Sequence, residues 1–502
     1  MTSRKNCRAF VGSIVVTVVF LQVSCDAGNS QADFPQFERV QPELFQAPGG
    51  QPNAWADYDN DGDLDLFVGF RGAANRLYRN DGGTFTDVAR EVGLADLEET
   101  RAASWGDIDL DGDLDLYVGF RLTPEKPNRL YLNEDNGGRF VDAAERYGVN
   151  LVGNTRQVSF VDYDGDEDVD LFIAFRDFPN RLFRNDDGVL VDVTTSTGVG
   201  DPRKTVGVAW FDMDADGDLD LFVANQNGDE DAFFRNDGEV FTDVAPELGM
   251  NQPNRGDEFG SVGPAVTDYD NDGDLDLFIA TYGPDVLWSN QGDGTFVNVA
   301  PGTPLSEDYH STTAMWGDVN NDGWQDLIVT SYLSGIAVVE DHLFQNWNGT
   351  FTNVTPPALL EHGPSHGVTW ADFDMDGALD LAIANNDPEG GTHHLYRNLL
   401  AEETAARSLQ VMVTGPNGVA NRAGAEVRLY DSASGALLGS RLTDTGGGYC
   451  SQGVTPVHFG IPEGVVAVDV HVTAIVGKER CTTITESVAP AAYIGKWLTI
   501  EN

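Results

Sequence analysis

The chain writes one acidic loop, D-x-D-x-D-G-x-x-D, seven times, with substitutions in a few copies. The copies begin at Asp57, Asp107, Asp162, Asp212, Asp268, Asp318 and Asp372, and successive first residues lie 50, 55, 50, 56, 50 and 54 positions apart. A period near this size marks one supersecondary unit copied around a solenoid or a propeller.

The loop also carries chemistry. Carboxylates at alternate positions around a glycine turn form an oxygen cage for a hard cation, and calcium fits best. Aspartates one residue apart repel one another, so a plain solvated turn does not account for seven copies in register. An EF-hand also begins D-x-D-x-D-G, but it needs a bidentate Glu at position 12 between two helices. Position 12 here is Val68, Val118, Ile173, Val223, Ile279, Val329 or Ile383, inside runs such as LDLFVGF that read as strands. Positions 1, 3, 5 and 9 are therefore assigned as side-chain ligands and position 7 as a backbone carbonyl donor, for up to seven Ca2+ ions.

The expected ligands are Asp57, Asp59, Asp61, Asp63 and Asp65 in the first loop and Asp107, Asp109, Asp111, Asp113 and Asp115 in the second. The third supplies Asp162, Asp164, Asp166, Asp168 and Asp170, and the fourth Asp212, Asp214, Asp216, Asp218 and Asp220. The fifth supplies Asp268, Asp270, Asp272, Asp274 and Asp276, and the sixth Asp318, Asn320, Asp322, Trp324 and Asp326. The seventh supplies Asp372, Asp374, Asp376, Ala378 and Asp380. Backbone donation at position 7 explains why Trp324 and Ala378 are tolerated there. The third loop departs from the pattern, with Glu167 in place of the glycine and Gly165 two residues earlier.

Each repeat carries four β segments. In the second copy they fall at 102–108, 115–120, 128–132 and 139–144 and are named A to D; the acidic loop joins A to B. Strand C recurs as NRLYRN, NRLYLN, NRLFRN, DAFFRN, DVLWSN, DHLFQN and HHLYRN. Strand D, as in FTDVA, recurs only six times, because the last repeat runs from HHLYRN straight into LLAEETAARS. The segment FERV at 37–40, followed by QPEL, matches FTDV-APEL of the fourth repeat and supplies the missing strand. The expected fold is all-β: a seven-bladed β-propeller over 33–400 closed by an N-terminal strand, a linker at 401–406, and a small antiparallel β domain over 407–502.

With 41% hydrophobic residues and a net charge of −51, the chain can pack a core but repels nucleic acid. Arg4, Lys5 and Arg8 precede an apolar stretch over 9–24 that is too short for a comfortable membrane span, which reads as an export signal over 1–25. LQVSC at 21–25 is similar to a lipobox, with Cys25 as the lipidated residue and Gln22 where an aliphatic residue is usual. Ordinary secretion and a retained anchor are the other two modes. The expected location is the periplasm, the cell surface or the medium, with membrane contact only through a lipid anchor. Cys450 and Cys481 are expected to form a disulfide, with two free buried thiols as the alternative.

The loops followed by LDLFVG resemble the FG-GAP/VCBS repeats of integrin α-subunit propellers, whose A–B loops bind calcium. The tail resembles the ASPIC/UnbV domain through NRAGAEVRLY at 421–430, GYCSQ at 448–452 and HFGIPEG at 458–464. VTAIVG stands where that domain is expected to carry a Trp-Pro segment. Together these features are similar to the cartilage acidic protein family. The resemblance implies an extracellular calcium-binding protein associated with adhesion or matrix, with no defined activity.

Register locates a second candidate site on the face away from the loops. Fourteen residues after each first Asp stand Arg71, Arg121, Arg176, Gln226, Tyr282, Tyr332 and Asn386. Six residues before it stand Gln51, Arg101, Arg156, Val206, Val262, Thr312 and His366. Arginine forks suit carboxylate or sulfate, and aromatic faces suit sugar rings. The eight residues Arg71, Arg101, Arg121, Arg156, Arg176, Tyr282, Tyr332 and His366 are therefore the expected ligand ring, for an anionic glycan or a protein partner. The alternative is that the arginines pair with nearby acids and serve structure. No nucleophile or metalloprotease motif is present. A binding module is the favoured class. The second class is a polysaccharide lyase or dehydratase using His366 beside Arg101 and Arg156.

Overall fold

The computed structural model describes residues 4–7, 34–122, 125–238, 240–332, 340–360, 364–386, 392–416, 418–420 and 422–502. Among these residues the chain is all-β, with four-stranded antiparallel sheets repeated in a propeller-like manner. The first sheet runs Gly50–Ala56, Asp65–Phe70, Arg76–Asn80 and Phe85–Asp87 in spatial order A-B-C-D. Equivalent A strands are Thr100–Gly106, Thr155–Val161, Thr205–Phe211, Ser261–Thr267, Ser311–Gly317 and Ser365–Ala371. In the sheet built on Ser365–Ala371 the outer strand is Phe37–Arg39, which pairs antiparallel with His394–Asn398.

Burial follows residue type across each sheet. A and B strands such as Asp65–Phe70 are buried throughout, whereas the rim strand Phe85–Asp87 buries only its first residue. Continuous apolar runs therefore take the inner positions and alternating runs the rim. Neighbouring sheets pack face to face; Trp105 of the second lies against Tyr58 and Phe67 of the first, with ring centroids 6.4 Å from each. Toward the axis the A strands converge so closely that a Cβ on Gly367 would sit 2.2 Å from the Gln51 carbonyl oxygen.

A repeated hydrogen-bond stitch joins one sheet to the next. The last loop aspartate takes two backbone amides, as Asp65 does from Tyr58 (3.3 Å) and Asn80 (2.8 Å). The asparagine ending strand C donates to the neighbouring sheet's loop: Asn133 to the Tyr58 carbonyl at 2.9 Å, Asn185 to Ile108 at 2.9 Å and Asn346 to Tyr269 at 2.7 Å. Asn80 makes the same bond to the Phe373 carbonyl at 2.7 Å, between the sheet at the start of the chain and the one at its end.

The expected linker forms one helical turn, Glu402–Ala405. The following residues fold into two sheets around Val427, Leu429, Phe459, Val470, Val472 and Ile500. This region is not purely antiparallel, because Ser408–Thr414 pairs parallel with Leu498–Glu501. The strand Arg4–Cys7 lies along Glu479–Val488, and Cys25 lies outside the described residues.

The expected Cys450–Cys481 bond is not formed. Cys481 is disulfide-bonded and Cys450 is a buried free thiol. The reason is topological: residues 444–453 leave the C-terminal region and insert among the A strands. Ser451–Gln452 pairs parallel with Thr100–Gly106, the Gly448 amide donates to the Pro264 carbonyl at 2.5 Å, and the Val454 amide donates to Trp55 at 2.8 Å. Gln157 donates to the Gly446 carbonyl at 2.8 Å, and Ser159 to that of Thr445 at 2.9 Å.

Candidate functional site

The acidic loops fold as cages. In the first, both oxygens of Asp57 accept loop amides, Oδ1 from Asp61 and Oδ2 from Gly62, each at 3.0 Å. The turn that makes this possible needs left-handed backbone, φ 55° at Asn60 and 96° at Gly62. Glu167 takes the same conformation, φ 78°, without a glycine, and its carboxylate is held by Arg422 at 2.6 Å. The third loop therefore keeps the common bend.

Carboxylates of Asp57, Asp59 and Asp61 converge to within 4.8 Å of one another, and so do Asp107, Asp109 and Asp115 in the second loop. The first, third and ninth positions also converge in the next three loops, as Asp162–Asp164–Asp170, Asp212–Asp214–Asp220 and Asp268–Asp270–Asp276. At position 7 of the first loop, Asp63 accepts the Gly82 amide at 2.8 Å. The Oδ1 atoms of Asp59, Asp109, Asp270 and Asp374 are buried with no hydrogen-bond partner among the described residues, which suits metal ligation. Burial pushes Asp57 and Asp107 up to about 6 and Asp65 and Asp276 up to about 9, so the bare cages disfavour their own charge. Several of these groups could hold a metal ion, and an all-oxygen donor set suits calcium.

The C-terminal region docks on five of these loops. Arg422 lies 3.5 Å from Asp162, and Arg480 bridges Asp212 and Glu426. Arg428 donates to the Gly273 carbonyl at 2.8 Å, the Gly460 amide to Asp318 at 3.1 Å, and Gln410 to Asp372 at 2.6 Å. Removing one member of a buried charge cluster leaves its partners uncompensated. In calcium-free buffer Arg480→Ala is expected to lower the unfolding free energy by about 3 kcal/mol, read by urea denaturation, with a smaller loss in calcium.

The inserted segment carries Tyr449 into the predicted ring. Each strand A has a register shift at the ring position: Arg101 sits between Thr100 and Ala102, Arg156 between Thr155 and Gln157, and His366 between Ser365 and Val368. Bulges re-aim side chains, here toward the axis. Arg156 donates to the Tyr449 hydroxyl at 3.1 Å, and the Tyr449 ring centre lies 4.9 Å from that of His366. Arg71, Arg101 and Arg121 all meet Glu99, at 3.7, 2.5 and 3.2 Å. Arg176 donates to Asn227, Tyr282 stacks on His310 with centroids 4.1 Å apart, and Tyr332 meets His366 edge to face.

Burial, then the charges of Arg101, Arg156 and Arg71, hold His366 well below its usual range and therefore neutral. Burial and then Arg156 pull Arg101 down to about 10. Buried Nε atoms of Arg101 and Arg156, and Nδ1 of His366, have no hydrogen-bond partner among the described residues. Register named eight positions for this face but gave no sign of Glu99 or Tyr449. Glu99 had no register signal, and GYCSQ was visible only as a motif of the tail.

Fold and loops together define a propeller-like repeat protein with acidic cages in several of its units. The FG-GAP-like repeat family model matches residues 57–118, 162–223, 212–278 and 268–329. Cartilage acidic protein 1 of Xenopus tropicalis is 27% identical over 283 residues, covering 44% of this chain and 42% of that protein. The Homo sapiens protein is 28% identical over 238 residues, covering 45% and 34%. The chain thus matches less than half the length of these relatives. BP39L lectin from Burkholderia pseudomallei aligns over 70% of this chain and 98% of its own, at 12% identity and a TM-score of 0.45. The repeats and the similarity to cartilage acidic protein 1 support the FG-GAP propeller family.

Proposed function

We propose that this chain is an exported, calcium-binding, seven-bladed β-propeller that acts as a binding module, taking an anionic glycan or an acidic protein partner on the arginine ring. One observation carries the ligand class: three guanidiniums share the single carboxylate of Glu99 while Arg156 donates to the Tyr449 hydroxyl, in a chain of net charge −51. Such a local excess of positive charge suits carboxylate or sulfate. Seven blades and ring closure are supported by the Asn80–Phe373 stitch and by the Trp55 indole, which donates to Thr369 at 3.0 Å. Calcium in all seven loops is supported by the repeated donor pattern. Export rests on the leader pattern of the sequence, and the C-terminal region is read as ASPIC/UnbV-like from its motifs.

On an acidic-glycan array, the triple variant Arg101→Ala, Arg121→Ala, Arg156→Ala is expected to lose at least about tenfold in binding, since each lost charged hydrogen bond is worth ~1.5–3 kcal/mol. Unchanged binding by a folded variant overturns the ring.

A second reading, a uronate lyase, is favoured by one feature: neutral His366, whose ring lies by that of Tyr449, has an Nδ1 with no hydrogen-bond partner among the described residues. Unsaturated products from uronate polymers, abolished by His366→Ala, would establish it; none from the wild type rejects it.

A further inference from the structure

A cavity lies between the inserted segment and several A strands. It has a volume of about 160 Å3 and is walled by Trp55, Trp316, Trp370, Met315, Thr455 and His458, among others. Three tryptophans of the same repeat register meet there, yet their indole N–H groups differ. Trp55 donates to Thr369 at 3.0 Å and Trp316 to the Ala265 carbonyl at 3.2 Å. Trp370, only 7% exposed, has no acceptor among the described residues.

His458 is likewise 7% exposed, and its Nε2 lies 3.2 Å from the Gly377 carbonyl oxygen. A carbonyl only accepts, so Nε2 carries the proton and Nδ1 keeps a lone pair; Nδ1 has no partner among the described residues. The wall thus includes one unmatched donor and one unmatched acceptor, each on a side chain more than nine-tenths buried. A buried polar atom left unpaired costs about 1–3 kcal/mol.

The wall's two charged groups are held by backbone partners. Asp444 accepts the amides of Gly446, Gly447 and Gly453 at 2.8, 3.1 and 2.8 Å, and Arg441 donates to the Ser440 carbonyl at 2.9 Å while lying over the Phe459 ring. Arg441 and Asp444 carry opposite charges, so together they leave the wall without net charge, which favours a neutral ligand. The volume is close to that of an engineered cavity that takes benzene, roughly 150 Å3, and so fits one six-membered ring.

We propose that this cavity is a binding site for one neutral six-membered ring bearing a hydroxyl group. The hydroxyl oxygen accepts from Trp370 and its hydrogen goes to His458, while the ring lies among the tryptophan faces. The site is independent of the arginine ring and needs no anionic ligand.

Titration calorimetry and tryptophan fluorescence on the calcium-loaded full chain test this, with phenol and glucose as the aromatic and saturated probes and benzene as the hydroxyl-free control. Saturable one-to-one binding of phenol or glucose is expected, at least tenfold tighter than benzene. Thr455→Trp, which fills the space, should abolish binding, and Thr455→Val should retain it. Should the tryptophan variant not fold, wild-type crystals soaked in phenol decide: a ring between Trp370 and His458 supports the site. No saturable binding of either probe, benzene binding as tightly, binding that survives Thr455→Trp, or water alone in the soaked cavity overturns it.

Discussion

Excess EDTA at neutral pH is expected to lower the melting temperature by more than about 10 °C relative to 2 mM calcium. A ligand that binds only the folded state stabilises it by RT ln(1 + [L]/Kd), and at a Kd of ~10−4 M that is about 1.8 kcal/mol per site. Six or seven such sites add up to a shift of that size or larger, even with partial independence. The effect has a second signature in its pH dependence. Without metal, burial holds loop carboxylates at about 6 (Asp57), 7 (Asp268), 8 (Asp372) and 9 (Asp65), against about 4 in the unfolded chain. The folded state then binds more protons than the unfolded state between about pH 4 and 9, so its stability is fullest below 4 and falls as pH rises through that window. In calcium the sign reverses over pH 5–7, because protons compete with the ion. Melting curves at pH 5.5 and 7.5, with calcium and with EDTA, check both signs. Indifference to EDTA contradicts the cage reading.

Gly448→Val is expected to unseat the inserted segment. Gly448 has φ 93°, and a Cβ there would stand 2.9 Å from the Ala314 carbonyl oxygen and 3.2 Å from the Thr313 methyl group. A β-branched residue in the left-handed region costs of order 1–3 kcal/mol before any clash is counted. The neighbours cannot absorb it, since Tyr449 and Cys450 already have φ 133° and 65°. The expected result is rapid amide exchange over 444–453, loss of the Tyr449 floor, and loss of anionic-ligand binding, while the acidic loops still take calcium. Protection of 444–453 equal to that of the wild type contradicts the insertion.

Much of the ring was legible because propeller geometry repeats in register. One count from each first Asp found Arg71, Arg121 and Arg176, and another found Arg101, Arg156 and His366. The displaced Phe37–Arg39 strand was legible for the same reason. What the count could not supply was direction. A period-2 strand reading places Arg101 on a face, whereas a bulge turns it toward the axis.

The asparagine ending every strand C was visible in all seven copies. Its bond to the next sheet's loop depends on an approach that no single repeat encodes. The insertion of 444–453 was invisible for a stronger reason. Gly446 and Gly448 announce a turn, but the partners Gln157, Ser159 and Pro264 lie far away in the chain. Pairing cysteines by number and compartment therefore failed at Cys450, which is carried into the axis away from Cys481.

The central claim is that the arginine ring, floored by Tyr449, takes an anion. Its most direct test is a crystal structure of the calcium-loaded protein soaked with glucuronate. The account predicts a carboxylate bound by Arg101, Arg121 or Arg156 above the Tyr449 ring, with Glu99 giving up at least one of its arginines. A vacant ring with all three arginines still on Glu99, while glucuronate sits elsewhere or nowhere, would contradict it.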